Sequence, residues 1–379
     1  MKLEVLQAPG VLDELGCALD ELHAATATPV TARRPWLATW LSSFPHEPLV
    51  LVIRDGDCLV AAALLAQRRR HGVTEVVAMG HGPSDRVAFP SRGLEASLAL
   101  SQAVAGYLLG LKGPWRLAVG HLPAGDPVAT ALADRLPYGQ LIGGADSPAL
   151  RFGEERTLRG YVSRNHHQQV RRVSNRMERE GLAPAYEHLR EPADLRAAMS
   201  EIELVCRQRD AMMHRRSQLD DPHFGPFFRA VVLEHARRGE VDLTTLRLQG
   251  ELAAYCLCFV DGGSYRMWNC RFAPRWAHLS PGRVTNNEAL RHALADPACH
   301  EFDWMLGEEG YKSGLANHVE PAQALLAWSS RAVLAVYDSR RRLLVGLKDV
   351  KDRHDLLRRA WAGIKGTGRG RRMPAGPSS

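Results

Sequence analysis

Between residues 278 and 312 the chain sets out a histidine, a helix start, an acid among apolar residues and a tyrosine–lysine pair. His278 precedes Ser280-Pro281-Gly282-Arg283-Val284-Thr285-Asn286-Asn287. That octet reads as the opening of a helix, because Ser is favoured at the N-cap and Pro at the first helical position. A helix start exposes unpaired backbone N–H groups and the positive end of the dipole, and so attracts phosphate. Ser280, Pro281, Gly282, Arg283 and Asn286 are therefore candidates to hold an anionic donor. Asp296-Pro297 ends the helix. A short strand follows, Glu301-Phe302-Asp303-Trp304-Met305, and then the turn Gly307-Glu308-Glu309-Gly310-Tyr311-Lys312. The order reads as an acyl-donor site followed by an acceptor site.

A meander leads into this stretch: Val241–Leu248, a turn at Gln249-Gly250, Leu252–Val260, a turn at Asp261-Gly262-Gly263, and Ser264–Phe272. Helix 282–295 and strand 300–306 complete the pattern. Upstream lie a helix from about 157 to 180, ended by Gly181, and two more at helical spacing, through Leu195, Met199, Ile202 and Val205 and through Phe227, Phe228, Val231, Val232 and His235. Residues 30–150 read as a separate α/β unit. Its strands Leu49–Ile53 and Leu59–Leu65 flank the turn Asp55-Gly56-Asp57, Val73–Met79 is a third, and a helix at 94–111 precedes the strand Trp115–Val119. The run Gly143-Gly144-Ala145-Asp146-Ser147-Pro148 breaks all periodicity and marks a linker. The expected domains are 1–148, 149–338, and a basic helix with a disordered tail at 339–379. Ala332–Tyr337 is expected as a last strand.

At 379 residues the chain is long enough for two ordinary domains, and 45% apolar with 24% charged residues is a globular composition. The N-terminus lacks the apolar core of a signal peptide, and no run approaches a membrane span. Seven cysteines without framework spacing point to free thiols in a reducing, cytoplasmic setting. The net charge of +7 is local: residues 340–372 hold twelve Lys or Arg against three Asp, so the remainder is slightly acidic. That tail reads as a solvated end or as a surface for RNA.

Three segments together resemble the GNAT acyltransferase superfamily, and within it the CelD-like acetyltransferases and, more distantly, the FemAB-type aminoacyl transferases. They are Trp36-Leu37-Ala38-Thr39-Trp40-Leu41 with the strands after it, Tyr161-Val162-Ser163-Arg164-Asn165-His166 running on to Gly181, and the Ser-Pro-Gly helix with its Asp303…Tyr311-Lys312 sequel. The likeness spans roughly residues 30–315. It implies tandem GNAT-like domains of the mixed α/β class, mostly antiparallel sheets flanked by helices. It also implies transfer of an acyl group, acetyl from acetyl-CoA or another acyl-CoA, to an amine or hydroxyl of a small molecule or saccharide, without a metal. An aminoacyl-tRNA donor, with the basic tail on tRNA, is the alternative, and a non-catalytic protein of this fold is a third. The chain departs from the superfamily at the usual Gln/Arg-x-x-Gly-x-Gly/Ala loop, which is here Ala277-His278-Leu279-Ser280-Pro281-Gly282.

Acyl transfer to an amine needs a held donor, a proton acceptor and a stabilised oxyanion. Asp303, among Phe302, Trp304 and Met305, is either a base whose proton affinity burial raises or a carboxylate paired with an arginine. Glu308 and Glu309 are available to an amine or to solvent, and His278 to the donor or a proton. By the resemblance, Tyr311 and Lys312 stand where FemAB-type enzymes carry an aromatic–lysine pair, and Lys312 would meet the oxyanion or an acidic group. Arg164, Arg171 and Arg172 are positioned to meet phosphates or solvent. His166 and His167, adjacent on a helix, point about 100° apart and cannot share a metal. Cys256, Cys258 and Cys270 read as small core thiols. Ser84-Asp85-Arg86 is a polar triplet available to a cleft between the units.

Overall fold

Each sheet contains a run of four antiparallel strands, in which apolar residues alternate or run together as a half-buried or fully buried strand demands. The computed structural model describes residues 1–307, 312 and 314–339. The first half contains β1 (Lys2–Leu6), α1 (Val11–Ala25), α2 (Arg34–Ser43), β2 (Glu47–Asp55), β3 (Cys58–Arg70), β4 (Val73–Ala78), α3 (Gly93–Gly110), β5 (Trp115–Pro123), α4 (Pro127–Arg135) and β6 (Gln140–Gly143). The second begins with β7 (Ser147–Arg151), α5 (Arg164–Arg179), β8 (Ala185–Leu189), α6 (Pro192–Met212), α7 (Phe224–Ala236), β9 (Val241–Leu248) and β10 (Glu251–Asp261). It continues through β11 (Ser264–Phe272), α8 (Pro281–Ala295), β12 (Glu301–Asp303), β13 (His318–Glu320) and β14 (Ala322–Trp328).

The strand orders are β1-β2-β3-β4-β5-β14-β6 and β13-β7-β12-β11-β10-β9-β8. Each sheet has four strands in chain order, one parallel step, and two further antiparallel strands. The parallel steps are β4 to β5 through α3, and β11 to β12 through α8. The strand beside β5 is β14, from the far end of the described chain, while the strand beside β12 is β7. The halves therefore share one topology and exchange strands, a mixed α/β tandem that no residue-level repeat betrays. The expected boundary at 148 falls inside β7, and β14 belongs to the first sheet although it lies in the second half.

Two other expectations need correction. Residues 331–339, which include the expected strand Ala332–Tyr337, are helical. The place beside β5 is taken by the apolar run of β14, and the helical segment is tied down by Tyr337, whose hydroxyl donates to Glu75 Oε1 at 2.6 Å. The helix expected from 157 begins at Arg164, because Ser163 caps it by accepting the His166 N–H at 3.2 Å. The expected helix at 341–362 and the disordered tail lie outside the described residues.

The halves also share a core. Trp36 and Trp40, one turn apart on α2, are fully buried against α7 and the second sheet. The Trp36 ring meets Phe227 at 5.4 Å and Phe259 at 5.2 Å, both edge-on. Truncating such an aromatic to Ala costs about 3–5 kcal/mol, so this contact alone fixes α2 against the second half. No described helix is long and apolar enough to cross a membrane.

Candidate active site

The helix start singled out from sequence is in place: α8 runs from Pro281, the expected first helical position. Ser280 occupies the N-cap position but does not cap. It adopts the left-handed conformation (φ 50°) at the end of a 3₁₀ turn, and its side chain makes no cap hydrogen bond. Gly282, Arg283 and Asn286 then line one wall of a groove of about 780 Å³. Ser163 and His166, at the start of α5, line the opposite wall. The two helices are tied across the groove by His166 Nε2 and Asn287 Oδ1, 3.1 Å apart, and by Arg283 donating to Gln169. Two helix N-termini thus face one groove, which Arg209, Arg215 and Arg271 also border. Asn286 Oδ1 is buried without a hydrogen-bond donor, leaving an acceptor for an amide N–H of a ligand. These residues fit an anionic donor with an amide-bearing arm.

Beyond its start, β11 parts from β12. Their ladder pairs only Ser264, Tyr265 and Arg266 with Glu301, Phe302 and Asp303. The strand expected over 300–306 ends early because the Asp303 side chain turns back to accept the Met305 N–H at 2.9 Å, and Met305 takes φ 57°. Among the described residues, 267–272 of β11 have no ladder partner on that side. On this stretch Arg271 faces both the groove and a second cavity of about 590 Å³ between the halves. Phe44, Trp268 and Phe224 give that cavity apolar walls, and Asp85 stands on the first-half side.

Arg271 was not singled out from sequence. Its Nη1 donates to the Cys270 carbonyl at 2.8 Å, its Nε is buried without a partner, and no described carboxylate lies within ion-pairing distance. A guanidinium withdrawn from water without an anion is costly. The cue available in sequence was weak, a second arginine on β11 besides Arg266.

Asp303 is fully buried. It accepts from Arg86 Nε at 2.9 Å and from Arg266 Nη1 at 2.7 Å, with Arg86 reaching on to Glu320 and Arg266 to Asp261 at 3.2 Å. Of the two readings, this geometry supports the ion-paired one. Arg86 brings the first half to the pair, so the network also joins the halves. Lys312 is buried and donates to the Leu306 carbonyl at 2.7 Å. Glu308, Glu309 and Tyr311 lie outside the described residues.

Asp85 belongs to the triplet that the sequence offered to a cleft between the units, and it is half-buried. Burial pushes its carboxyl up to about 7, against the pull of the Lys312 ammonium; neighbouring Asp303 adds to the rise and Arg86 opposes it. The loop that carries it is held by Ser84, whose hydroxyl donates to the Thr31 carbonyl at 3.0 Å. Gly80 permits that approach: it has φ 84°, and a Cβ there would stand 2.2 Å from Ser84 Oγ.

Other candidates stand elsewhere. His278 lies 3.6 Å from Glu180 and does not line the groove. Arg164 is exposed at the first position of α5, beside lining residues rather than among them. Cys256 and Cys258 are buried core thiols with sulfurs 3.8 Å apart. His188, Asp242 and His292 bring potential ligand atoms within 4.8 Å of one another. The two imidazoles stack at 3.7 Å and 15°, so their in-plane lone pairs run parallel rather than converging, and Arg190 Nε already donates to Asp242 at 2.7 Å. The cluster is built as an ion-pair network strapping α8 to β8 and β9.

Residues 164–313 match the family model of the acetyltransferase (GNAT) domain. No curated protein matches the sequence. Among solved structures, FemX is similar with a TM-score of 0.60 at 8% identity, over 84% of this chain and 96% of its own. The C-terminal domain of a candidate lysylphosphatidylglycerol synthetase from Agrobacterium fabrum gives 0.57 at 12%, over 87% and 96%. L-PGS from Bacillus licheniformis gives 0.53 at 11%, over 86% and 96%. At these identities the likeness is one of fold. Residues 164–313 thus carry the match to the acetyltransferase (GNAT) domain, which supports an acyltransferase enzyme, in a chain whose two sheets share one topology.

Proposed function

We propose that the chain transfers an acyl group, acetyl in the first instance, from acyl-CoA to an amine or hydroxyl of a small molecule or saccharide. The observation that carries this reading is the groove at the start of α8, which meets a second cavity at Arg271 where β11 and β12 diverge. The phosphates of CoA would lie against Gly282 and Arg283, with Arg209 alongside. The amides of its arm would meet the unpaired edge of β11 and Asn286 Oδ1, carrying the thioester past Arg271 into the second cavity, which Asp85 lines. Asp85 would take a proton from the acceptor ammonium. The freed nitrogen attacks the thioester carbonyl, a C–N bond forms, and the carbonyl oxygen takes the negative charge. The intermediate collapses with loss of the C–S bond, and the departing thiolate takes up a proton. The finer placement beside the CelD-like acetyltransferases rests on the three segments quoted above. A cytoplasmic setting is supported by seven free cysteines.

One observation favours a second donor, aminoacyl-tRNA. Arg164, Arg171, Arg172 and Arg179 are exposed along α5, whose start lines the groove, and among the described residues none is ion-paired. Incubating the protein with acetyl-CoA, longer acyl-CoAs or charged tRNA, and reading thiol release or tRNA deacylation at several salt concentrations, separates the two. Thiol release from acyl-CoA with a shallow salt dependence is expected. Deacylation of tRNA alone, weakening steeply with salt as phosphate neutralisation requires, would overturn the acyl-CoA reading.

A further inference from the structure

The cavity between the halves has a charge pattern that restricts what can occupy it. Two guanidinium groups, Arg216 and Arg271, open onto it. Arg216 donates to the Asp220 carbonyl at 3.1 Å, and among the described residues neither arginine has a carboxylate within ion-pairing distance. That contrasts with the arginines that close the rest of the boundary between the halves. Arg33 is paired with Asp261, Arg86 with Asp303 and Glu320, and Arg266 with Asp261 and Asp303. Among the described residues, the cavity has two acids. Asp221 is committed to its own turn, its Oδ1 accepting the N–H groups of His223 and Phe224 at 2.9 and 3.0 Å. Asp85, on the opposite side, makes no hydrogen bond or ion pair among the described residues. Between these poles the walls are aromatic, with Trp268 fixed by its Nε1 donating to the Pro83 carbonyl at 3.2 Å.

We infer that the acceptor is an amine that also carries an anionic group, with its nitrogen toward Asp85 and its anion on Arg271 and Arg216. This rests on the acyl-transfer reading for what happens next, but not for binding. The physical reason is the orphaned Arg271. A half-buried guanidinium whose Nε has no partner is completed by an anion, and charge-assisted pairing of that kind discriminates strongly against a neutral ligand. Carboxylate and phosphate-type anions satisfy the same two arginines. The aromatic walls favour an apolar body between the two charges. Arg271 also borders the donor groove, so the cavity that would hold the acceptor adjoins the groove that would hold the donor.

The test is a calorimetric titration of the full-length protein, with and without CoA, using a matched series: phenethylamine, phenylalaninamide, phenylalanine and its phosphonate analogue. The anionic members should bind about 10–100-fold more tightly than the neutral ones, the range of a hydrogen bond to a charged group. The phenylalanine and phosphonate arms report which anion is preferred. Arg271→Gln and Arg216→Gln should each erase most of that preference, and Arg271→Lys should keep part of it, with melting temperatures confirming that the variants fold. Equal binding of neutral and anionic members, no binding of any member, or an undiminished preference in Arg271→Gln would overturn the inference. Thiol release from acetyl-CoA is read separately. Anion-selective binding without thiol release leaves the inference standing and counts against the acyl-CoA reading.

Discussion

Asp303→Asn separates a structural carboxylate from a catalytic one. Asp303 is wholly buried and accepts three hydrogen bonds, from Arg86 Nε (2.9 Å), Arg266 Nη1 (2.7 Å) and the Met305 N–H (2.9 Å). The amide keeps the size of the side chain but removes the charge between two guanidinium groups, and it points N–H bonds where an acceptor is needed. Removing one partner of a buried ion pair costs about 3–5 kcal/mol. Here Arg86 keeps Glu320 and Arg266 keeps Asp261, which places the loss near the lower end, about 3 kcal/mol. At roughly 2–4 °C per kcal/mol for domains of this size, the melting temperature should fall by about 6–12 °C. Differential scanning fluorimetry and urea denaturation read that loss, and thiol release at a temperature where the variant is folded reads the rate. A variant that melts within about 1 °C of wild type but loses roughly 100-fold or more in rate would refute the reasoning and make Asp303 the base.

Asp85→Asn should lower the rate constant for acyl transfer by about 10²–10⁴-fold while leaving CoA affinity nearly intact, as loss of a general base does. Because burial raises the Asp85 carboxyl to about 7, with Asp303 adding to the rise and Lys312 and Arg86 opposing it, the wild-type rate should climb through that pH as the carboxylate forms. A pH-independent rate across neutrality would remove Asp85 from that role. Stability should respond to pH through His188, which faces Asp242 on β9 and Glu288 and His292 on α8. Burial disfavours its charge, but hydrogen bonds to Asp242 and Glu288 outweigh it and lift the imidazole to about 9, above the ordinary 6.5. A raised folded-state value means that the stabilisation is complete below 6.5 and is lost as pH rises through 9. The melting temperature should therefore decline over that window, and His188→Gln should flatten the decline; an equal slope in the variant would contradict it.

The parts of the site legible in the sequence were those with local signals. Pro281 and the residues after it announce α8 wherever they occur, since first-turn chemistry depends on neighbours alone. The hydrogen bond expected from Ser280 was not legible, because the 3₁₀ turn before it sets its backbone to φ 50° and takes the hydroxyl out of capping geometry. Burial of Asp303 followed from Phe302 and Trp304, but its partners did not: Arg86 lies 217 residues away and Arg266 on a neighbouring strand. Asp85 was likewise unremarkable in a polar triplet until the fold set it beside Asp303 and Lys312. The exchanged strands were the least legible. Ala322–Trp328 is an apolar run like many others, and its pairing with β5 is decided by which sheet edge it reaches.

The central claim, that the donor's phosphates lie at the start of α8, is tested most directly by titrating CoA into wild type and Gly282→Asp in a calorimeter. Gly282 does not need positive φ, and a Cβ there would meet only Phe272 at 3.6 Å, so the fold tolerates the side chain. A carboxylate in the first turn also favours the helix, which holds stability at or above that of wild type while placing a negative charge where phosphate would bind. The account predicts saturable CoA binding by wild type and a loss of about tenfold or more in Gly282→Asp, roughly 1.4 kcal/mol, at an undiminished melting temperature. CoA binding of equal strength in the two proteins, or none by wild type, would contradict it.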